Sequence, residues 1–582
     1  MRFDSLKISN WRSIKEIDIE AQDLMVIIGR NNHGKSNILS AILFFFSQLK
    51  HQDLDFNCAS EVLFVEIVFN DLSNEEKSRF TKYLTSDNKI TVRKTAYKGG
   101  SFEYRGFVEK CTIEWLREEE ASSYTKRENV EDTPLIDFLP AQGRITKQDV
   151  VNAQTSYIEE HRGELEFVYQ KEETEFLGLK SVAASSFGEL YFIPAVKDAV
   201  SDFISKESSV FGRIYSGVIS SMSESNNDWR MAKERLAELF SIFNINDDGE
   251  HHERRPQEIT ELELSLSREL SVWGTKIDIE IKEPDIDSVI KSNTQIWIDD
   301  GVRTDIVRKG HGLQRALTLA LVQVLAKETP GRIHTDEDVR ISNSKYFIFE
   351  EPELYLHPQA QRQLFDSFVR LSDLGSQVII CTHSSGLIDL ERYRSIYIAD
   401  KSNDESGTVV RKCAGDIFEG NEKRDFNLTY WINPDRNELF FAKKVILLEG
   451  ATEKAVIPAL AKRFNIFNYE YAAIDCGSKN SIPQYIKLLN CFLIPYVAVY
   501  DLDHQLDKSR DAVNAADIST QKILDAIEDE VGYGLALVND IEEELGLSRG
   551  AGSKPYEALN HINSREFQIS VRMLEKITNI YS

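Results

Sequence analysis

The sequence predicts an α/β fold built on parallel sheets, and three observations carry that prediction. The apolar run Leu24–Ile28 enters a glycine-rich loop and then a helix; strand and helix alternate cleanly from Lys345 to Asp400; and a second strand–helix–strand series begins at Lys443. Taken in order, Leu6, Ile8, Ile17 and Ile19 mark short strands, Leu24–Ile28 a buried strand, Ser36–Leu49 a helix, and Val62–Phe69 an alternating strand. Residues 71–190 are charged, with strand-like patches at Lys89–Val92 and Phe102–Val108 but no decisive period. Residues 200–275 read as largely helical. Met231, Leu236, Leu239 and Phe240 recur at near-helical spacing within Asp228–Phe243, and Ile259–Leu270 repeats the behaviour. Such helical pairs suit either a dimerisation insert or a helical subdomain packing on its own core. The polar stretch Lys401–Gly407 opens a connector, which places a domain boundary within 400–440.

Composition bounds the function. At about 100–200 residues per domain, 582 residues suggest about three to five domains. With 42% hydrophobic and 28% charged residues the chain is globular rather than disordered. Its 69 Lys+Arg against 95 Asp+Glu leave a formal charge of −26. That argues against a generally basic nucleic-acid coat and against electrostatic attachment to an anionic membrane, while allowing a local basic groove. No run approaches the ~18 apolar residues of a transmembrane helix. The N-terminus opens on alternating Phe3, Leu6 and Ile8, with no signal-peptide core. The six cysteines are scattered without a Cys-x-x-Cys pair, so neither disulfides nor structural zinc are expected and a reducing cytoplasm fits best.

Several separated motifs describe a nucleotide site. Gly29-Arg-Asn-Asn-His-Gly34-Lys35-Ser36 is a full G-x-x-x-x-G-K-S loop between a strand and a helix. Backbone amides there cradle phosphates, Lys35 reaches the β/γ oxygens and Ser36 can ligate Mg2+, with Asn32 and Asn37 as further cofactor-binding positions. Tyr346–Phe349 runs into Glu350 and Glu351, a strand whose carboxyl end delivers acids to a Mg2+-nucleotide. Glu350 would hold the ion and Glu351 would activate the attacking water. A third apolar strand ends in Cys381-Thr382-His383-Ser384, where His383 could contact the γ-phosphate or order the water. Lys309-Gly310-His-Gly312-Leu-Gln314-Arg315 precedes an apolar helix and suits anion contact from its N-terminus.

In this order, over residues 1–400, these motifs resemble the ABC-type ATPase head of the SMC-like and recombination-nuclease group. The resemblance implies ATP as cofactor and Gly310, Gly312 and Gln314 acting in trans, hence a dimer of heads or a higher homo-oligomer. One departure stands out: the usual Asp before the catalytic Glu is Glu350 here.

A second acidic group lies nearer the C-terminus. Lys444–Leu448 ends in Glu449, Gly450 permits a sharp turn, and Glu453 falls in the first turn of the next helix. Tyr496–Tyr500 ends in Asp501-Leu-Asp503, whose alternate residues share a face. Asp540-Ile-Glu542 repeats the spacing, and Lys554 follows; solvated surface is the alternative reading of this last acidic run. Clustered carboxylates without His or Cys favour Mg2+ or Mn2+. Two such ions would serve phosphodiester hydrolysis, with Lys554 stabilising transition-state charge.

This half resembles a Toprim domain, and an ABC-type head followed by Toprim is the arrangement of the OLD (overcoming lysogenisation defect) family of nucleases, relatives of which occur in Gabija and retron-associated anti-phage systems. The resemblance implies Glu449, Glu453, Asp501, Asp503, Asp540 and Glu542 as metal ligands, with Lys554 catalytic. It also implies a DNA substrate, no membrane, and a defence partner such as a helicase or a retron RNA–DNA element. The expected organisation is an ATPase head from 1–150 and 286–400, a helical insert at 151–285, a connector at 401–440 and Toprim at 441–582. The expected activity is an ATP-gated DNA endonuclease or nickase; the competing expectation is an ATPase clamp or sensor with a non-catalytic Toprim-like scaffold.

Overall fold

The computed structural model describes the chain apart from 58–59, 141, 179–183, most of 196–225, 245–251, 328–343, 402–405, 419–433, 548–553 and scattered positions in 271–295 and at 507. Two compact units result: residues 1–190, 341–351 and 377–582 form the first, residues 191–340 and 352–376 the second. In chain order the strands begin with β1 (Arg2–Trp11), β2 (Ile14–Glu20), β3 (Leu24–Ile28), β4 (Val62–Asn70), β5 (Ile90–Tyr97), β6 (Phe102–Cys111), β7 (Phe167–Lys171) and β8 (Glu189–Ile193). They continue with β9 (Trp297–Asp299), β10 (Arg303–Asp305), β11 (Lys345–Glu350), β12 (Gln377–Cys381), β13 (Ile396–Asp400) and β14 (Val409–Lys412). The last four are β15 (Lys444–Leu448), β16 (Tyr471–Asp475), β17 (Tyr496–Asp501) and β18 (Gly532–Leu537).

The first unit holds three sheets. An antiparallel sheet runs β2-β1-β4-β5-β6-β7. Strand β5 is buried along nearly its whole length, on both faces, which explains why its sequence shows no two-residue period. Residues between β6 and β7 gather Leu116, Val130, Leu135 and Val150 into a small core of their own.

The second sheet is the one that matters for the phosphate loop. Strands β13, β3, β12 and β11 are parallel neighbours, with β14 added antiparallel to β13. β3 and β12 are buried at every position, as parallel strands flanked on both sides should be. The helix Lys35–Phe45 after β3 packs Phe44 and Phe45 into an aromatic core that includes Trp11, Phe69, Tyr104 and Phe187. Beneath its C-terminal end the buried Lys94 donates to the Phe44 carbonyl (2.6 Å) and Ser47 Oγ (2.9 Å).

The third sheet, β16-β15-β17-β18, is wholly parallel. Ile446, Leu448, Val456, Ile457, Val497 and Ile577 fill its core. Each such buried side chain contributes about 1.5–3 kcal/mol of transfer free energy.

The second unit contains the hairpin β9–β10 and helices including Asn227–Ser241, Gln257–Glu269, His311–Lys327 and Pro358–Asp373. The expected apolar stripe is present but not a closed core: Met231 is 50% and Leu239 47% exposed.

One expectation is overturned. Cys413 and Cys491, 78 positions apart, are joined in a disulfide with 5.3 Å between their Cα atoms. Local cysteine spacing is silent on this pair because topology brings β14 and the end of the helix Ile482–Cys491 together.

Candidate functional site

Parallel pairing of β3, β12 and β11 places their carboxyl ends at one edge, where the loop 29–36, His383 and the Glu350–Glu351 pair follow. The loop admits only glycine at two positions. A Cβ on Gly29 (φ 145°) would lie 2.2 Å from the Ala399 carbonyl oxygen, and one on Gly34 (φ 95°) 2.3 Å from Thr408 Oγ1. Lys35 is buried and donates to the carbonyls of Gly29 (2.9 Å) and Arg30 (2.8 Å). Its helix starts without a side-chain cap and without an acid in the first turn, so the positive dipole end suits an anion. Ser36 is the second residue of that helix, Asn32 holds a left-handed conformation in the loop (φ 65°), and Asn37 donates to Ser13 Oγ (2.7 Å). Thr408, fully buried, hydrogen-bonds Ser13 Oγ (2.8 Å) and donates to the His33 carbonyl (3.2 Å). Nothing in the sequence marks Thr408 as a brace of this loop, because it arrives from far along the chain.

Glu350 is the last residue of β11, paired across the sheet with Cys381. Glu351 adopts φ 43°, and its amide donates to the Cys381 carbonyl (2.7 Å), which turns its carboxylate towards His383: Nε2 and Oε1 are 3.7 Å apart. Burial, then the Lys35 ammonium, lowers the His383 pKa against the opposing pull of Glu351. A neutral imidazole beside a carboxylate can order a water.

Within the second unit, Gly310 precedes the helix His311–Lys327, and a Cβ on Gly312 would approach the Tyr355 carbonyl to 3.2 Å. Gln314 is buried: its Nε2 donates to the carbonyls of Ile306 (2.9 Å) and Lys309 (3.0 Å) and so braces the turn, while its Oε1 is buried without a hydrogen-bond partner.

The parallel β16-β15-β17-β18 sheet likewise gathers acids at its carboxyl edge. Glu449 follows β15, and its Oε1 accepts from the Asp501 amide at 2.8 Å. Burial first, then the carboxylates of Glu449, Glu453, Asp503 and Asp540, pushes Asp501 up to about 9. Its Oδ1 is buried without a hydrogen-bond partner. Burial also pushes Glu449 up to about 7, offset by the Asp501 amide and Lys479, and raises Glu453. An all-carboxylate donor set with an orphaned buried oxygen fits a hard divalent cation. Among the described residues, however, no three of His, Cys, Asp and Glu close into a preformed cage.

The outer acids are partly engaged. Asp540 Oδ1 accepts from the Glu543 amide (2.8 Å) as a helix cap, and Oδ2 from Gln505 (3.1 Å). Glu542 lies 3.3 Å from Lys554, whose side chain is 61% exposed. Two lysines that sequence reasoning missed sit on Asp503: Lys508 Nζ is 2.6 Å from Oδ1 and Lys479 Nζ 3.8 Å from Oδ2. The signal for Lys479 was its place in Gly477-Ser478-Lys479, just past the strand β16.

Contacts also run from the phosphate loop towards this sheet. Arg30 pairs with Glu470, which precedes β16. His33 Nδ1 accepts from the Lys401 amide (3.1 Å) beside Asp400; Arg411 pairs with Asp400 (2.5 Å) and donates to the Leu493 carbonyl (2.9 Å). A cavity of about 460 Å³ opens here, lined by Arg30, His33, Arg411, Phe441, Lys443 and Pro495 among others.

Two family models match separate stretches of the chain. A family model described as an AAA ATPase domain matches residues 1–388, and one described as the Toprim domain of overcoming lysogenization defect protein-like chains matches residues 440–503. The Old nuclease of Escherichia phage P2 is 26% identical over 475 residues, covering 80% of this chain and 70% of that protein. The OLD nuclease of Thermus scotoductus is 29% identical over 228 residues (36% of this chain, 42% of that one). Endonuclease GajA of Bacillus cereus is 27% identical over 190 residues (28% and 27%). The chain thus aligns with less than half the length of these last two relatives. With its AAA ATPase domain at 1–388 and its OLD-like Toprim domain from 440, the chain belongs to the OLD family.

Proposed function

We propose that this chain is an ATP-regulated, divalent-metal-dependent DNA endonuclease or nickase acting in anti-phage defence. The observation that carries the reading is the Asp501 carboxyl: buried, with Oδ1 unpartnered, crowded by Glu449, Glu453 and Asp503 at the carboxyl edge of a parallel sheet. Its relatives are named nucleases and an endonuclease. When bound, Mg2+ or Mn2+ supplies Lewis acidity and a nucleophilic water for phosphodiester hydrolysis. Glu449, Glu453, Asp501 and Asp503 are the ligands, with Asp540 and Glu542 as outer ligands, and Lys554 neutralises charge on the cleaved phosphate.

In the ATPase centre, Lys35 and the helix N-terminus hold the phosphates of ATP, Ser36 and Glu350 hold its Mg2+, and Glu351 accepts the proton of the attacking water while His383 orients it. Gly310 and Gly312 complete the site of a second protomer, with Gln314 shaping their turn, so the protein acts as a dimer or a higher oligomer of heads. The organisation is a head formed by 1–150 and 286–400, an insert at 151–285, a connector at 401–440 and Toprim at 441–582. DNA is the substrate, a helicase or an RNA–DNA element a partner, and the cytoplasm the place of action. No described helix is long and apolar enough to cross a membrane.

The test is nicking of supercoiled plasmid with Mn2+ or Mg2+, with and without ATP. Asp501→Ala is expected to abolish nicking while ATP hydrolysis persists; nicking that survives overturns the assignment. The second reading, an ATPase clamp with a non-catalytic scaffold, draws on the lack of a preformed three-ligand cage among the described residues. It predicts no metal-dependent nicking by the unaltered protein.

A further inference from the structure

Lysines are among the side chains least often buried, because an ammonium leaves water only where other groups replace its hydration. Lys479 is such a case: 9% of its side chain is exposed, in the loop after β16 beside the acidic centre. Three partners replace its hydration. Nζ donates to the main-chain carbonyl of Asp501, lies 3.8 Å from Asp503 Oδ2, and sits 6.0 Å from the centre of the Tyr500 ring.

The consequence is a clamp on one residue, from both of its flanking peptide groups. Asp501 has its amide held by Glu449 Oε1 (2.8 Å) from β15 and its carbonyl held by Lys479 from the loop after β16. Both groups therefore orient the segment that carries the two aspartates from neighbouring strands. The next residues need that restraint. Asp503 adopts φ 64°, a left-handed conformation that costs an ordinary side chain about 1 kcal/mol, and its amide donates to the Asn539 carbonyl (3.1 Å). Lys508 holds the Asp503 carboxylate itself from outside (2.6 Å, side chain 31% exposed), whereas the buried Lys479 holds the main chain at the Asp501 carbonyl.

We infer that Lys479 is a positioning residue of the acidic centre: it holds the Asp501-Leu502-Asp503 turn in the conformation that presents both carboxylates to divalent cations. The inference rests on the proposed metal-dependent nuclease, but its test reads metal binding directly.

The experiment uses the full chain, with Lys479→Met and Lys479→Arg. Mn2+ binding is measured by calorimetry without nucleotide or DNA, melting temperature in EDTA, and nicking of supercoiled plasmid. A positioning role predicts that Lys479→Met weakens Mn2+ binding by about tenfold, as loss of an outer-shell support does, and lowers nicking at saturating Mn2+ by about as much. The EDTA melting temperature should stay within about 2 °C, and Lys479→Arg should restore most of the affinity. Coulomb's law alone predicts the opposite sign, since removing a cation from among carboxylates strengthens cation binding. Unchanged or tighter Mn2+ binding in Lys479→Met therefore overturns the inference. So does a fall in affinity that merely accompanies a lower EDTA melting temperature in both variants, and so does an unaltered protein that binds no Mn2+. Mn2+ binding that responds as expected in a protein that never nicks DNA would remove the nuclease reading and leave Lys479's role standing.

Discussion

The phosphate loop and the acidic centre occupy the same place in their sheets, past the carboxyl ends of parallel strands, and they solve opposite electrostatic problems. In the first, cations and amides converge: Lys35 folds back on the loop's own carbonyls, and the helix behind it starts without an acidic residue. In the second, acids converge, and burial together with mutual repulsion pushes Asp501 up to about 9. One architecture thus suits a polyanion at one edge and cations at another, because a parallel sheet sets where side chains gather while the loop residues set their sign. The formal charge of −26 is a sum over the whole chain and so shows neither.

The largest effects should come from breaking one centre at a time. Lys35→Ala is expected to lower ATP hydrolysis by about a thousandfold, as loss of a preorganised electrostatic group does, while nucleotide-free Mn2+-dependent nicking persists. Asp501→Ala should do the reverse. If either variant loses both activities, measured as phosphate release and plasmid relaxation on one preparation, the centres are not chemically separate.

Glu351→Gln sharpens the first centre. Its carboxylate lies 3.7 Å from His383. Removing the proton acceptor should slow hydrolysis by about a hundredfold yet leave ATP binding intact, which a filter-binding assay beside a turnover assay would show. Equal losses of binding and turnover would instead make Glu351 a binding residue.

Two buried ionisable groups extend the comparison to stability. Burial pushes Lys94 down to about 7 beneath the phosphate-loop helix, whereas Asp501 is pushed up to about 9. Between about pH 7 and its ordinary value of 10.5, the unfolded chain binds the lysine proton that the folded chain has released, so Lys94's contribution to stability rises with pH. Between 3.8 and about 9 the folded chain keeps an aspartic proton that the unfolded chain has lost, so Asp501's contribution falls as pH rises. Melting in EDTA from pH 7 to 9 should therefore show the difference between unaltered protein and Lys94→Met growing, and that against Asp501→Asn shrinking. Each slope is at most about 1.4 kcal/mol per pH unit. Slopes of the same sign would contradict the burial of one of the two groups.

The smallest effect concerns the link between the regions. Arg30 and Glu470 are each about 40% exposed, so their ion pair contributes at most about 1 kcal/mol to folding. Arg30→Ala should leave the melting temperature nearly unchanged but reduce the influence of ATP on nicking by a few-fold, read as the ratio of rates with and without nucleotide. An unaltered ratio would leave the two centres electrostatically independent.

Much of this was legible in the sequence where a signal is local. The buried run before Gly29, the acids at Glu350 and Glu351, and the strand ends at Glu449 and Asp501 are contiguous stretches whose hydrophobicity and punctuation declare them. Residues 71–190 were not legible, since β5 is buried on both faces and so has no alternation to read. Thr408 behind Gly34, the Cys413–Cys491 disulfide and the Arg411–Leu493 contact join positions tens to hundreds of residues apart.

The sequence by itself therefore determined which strands end in a glycine-lysine loop or in acidic residues, because strand, turn and helix starts are written in neighbouring residues. Tertiary structure alone decided which groups share a centre and how each is poised. It turned Gln314 onto its own turn, engaged Asp540 as a cap, and set Lys479 on the Asp501 carbonyl. Hydrogen bonds and desolvation depend on distances across the fold, and no spacing along the chain encodes them.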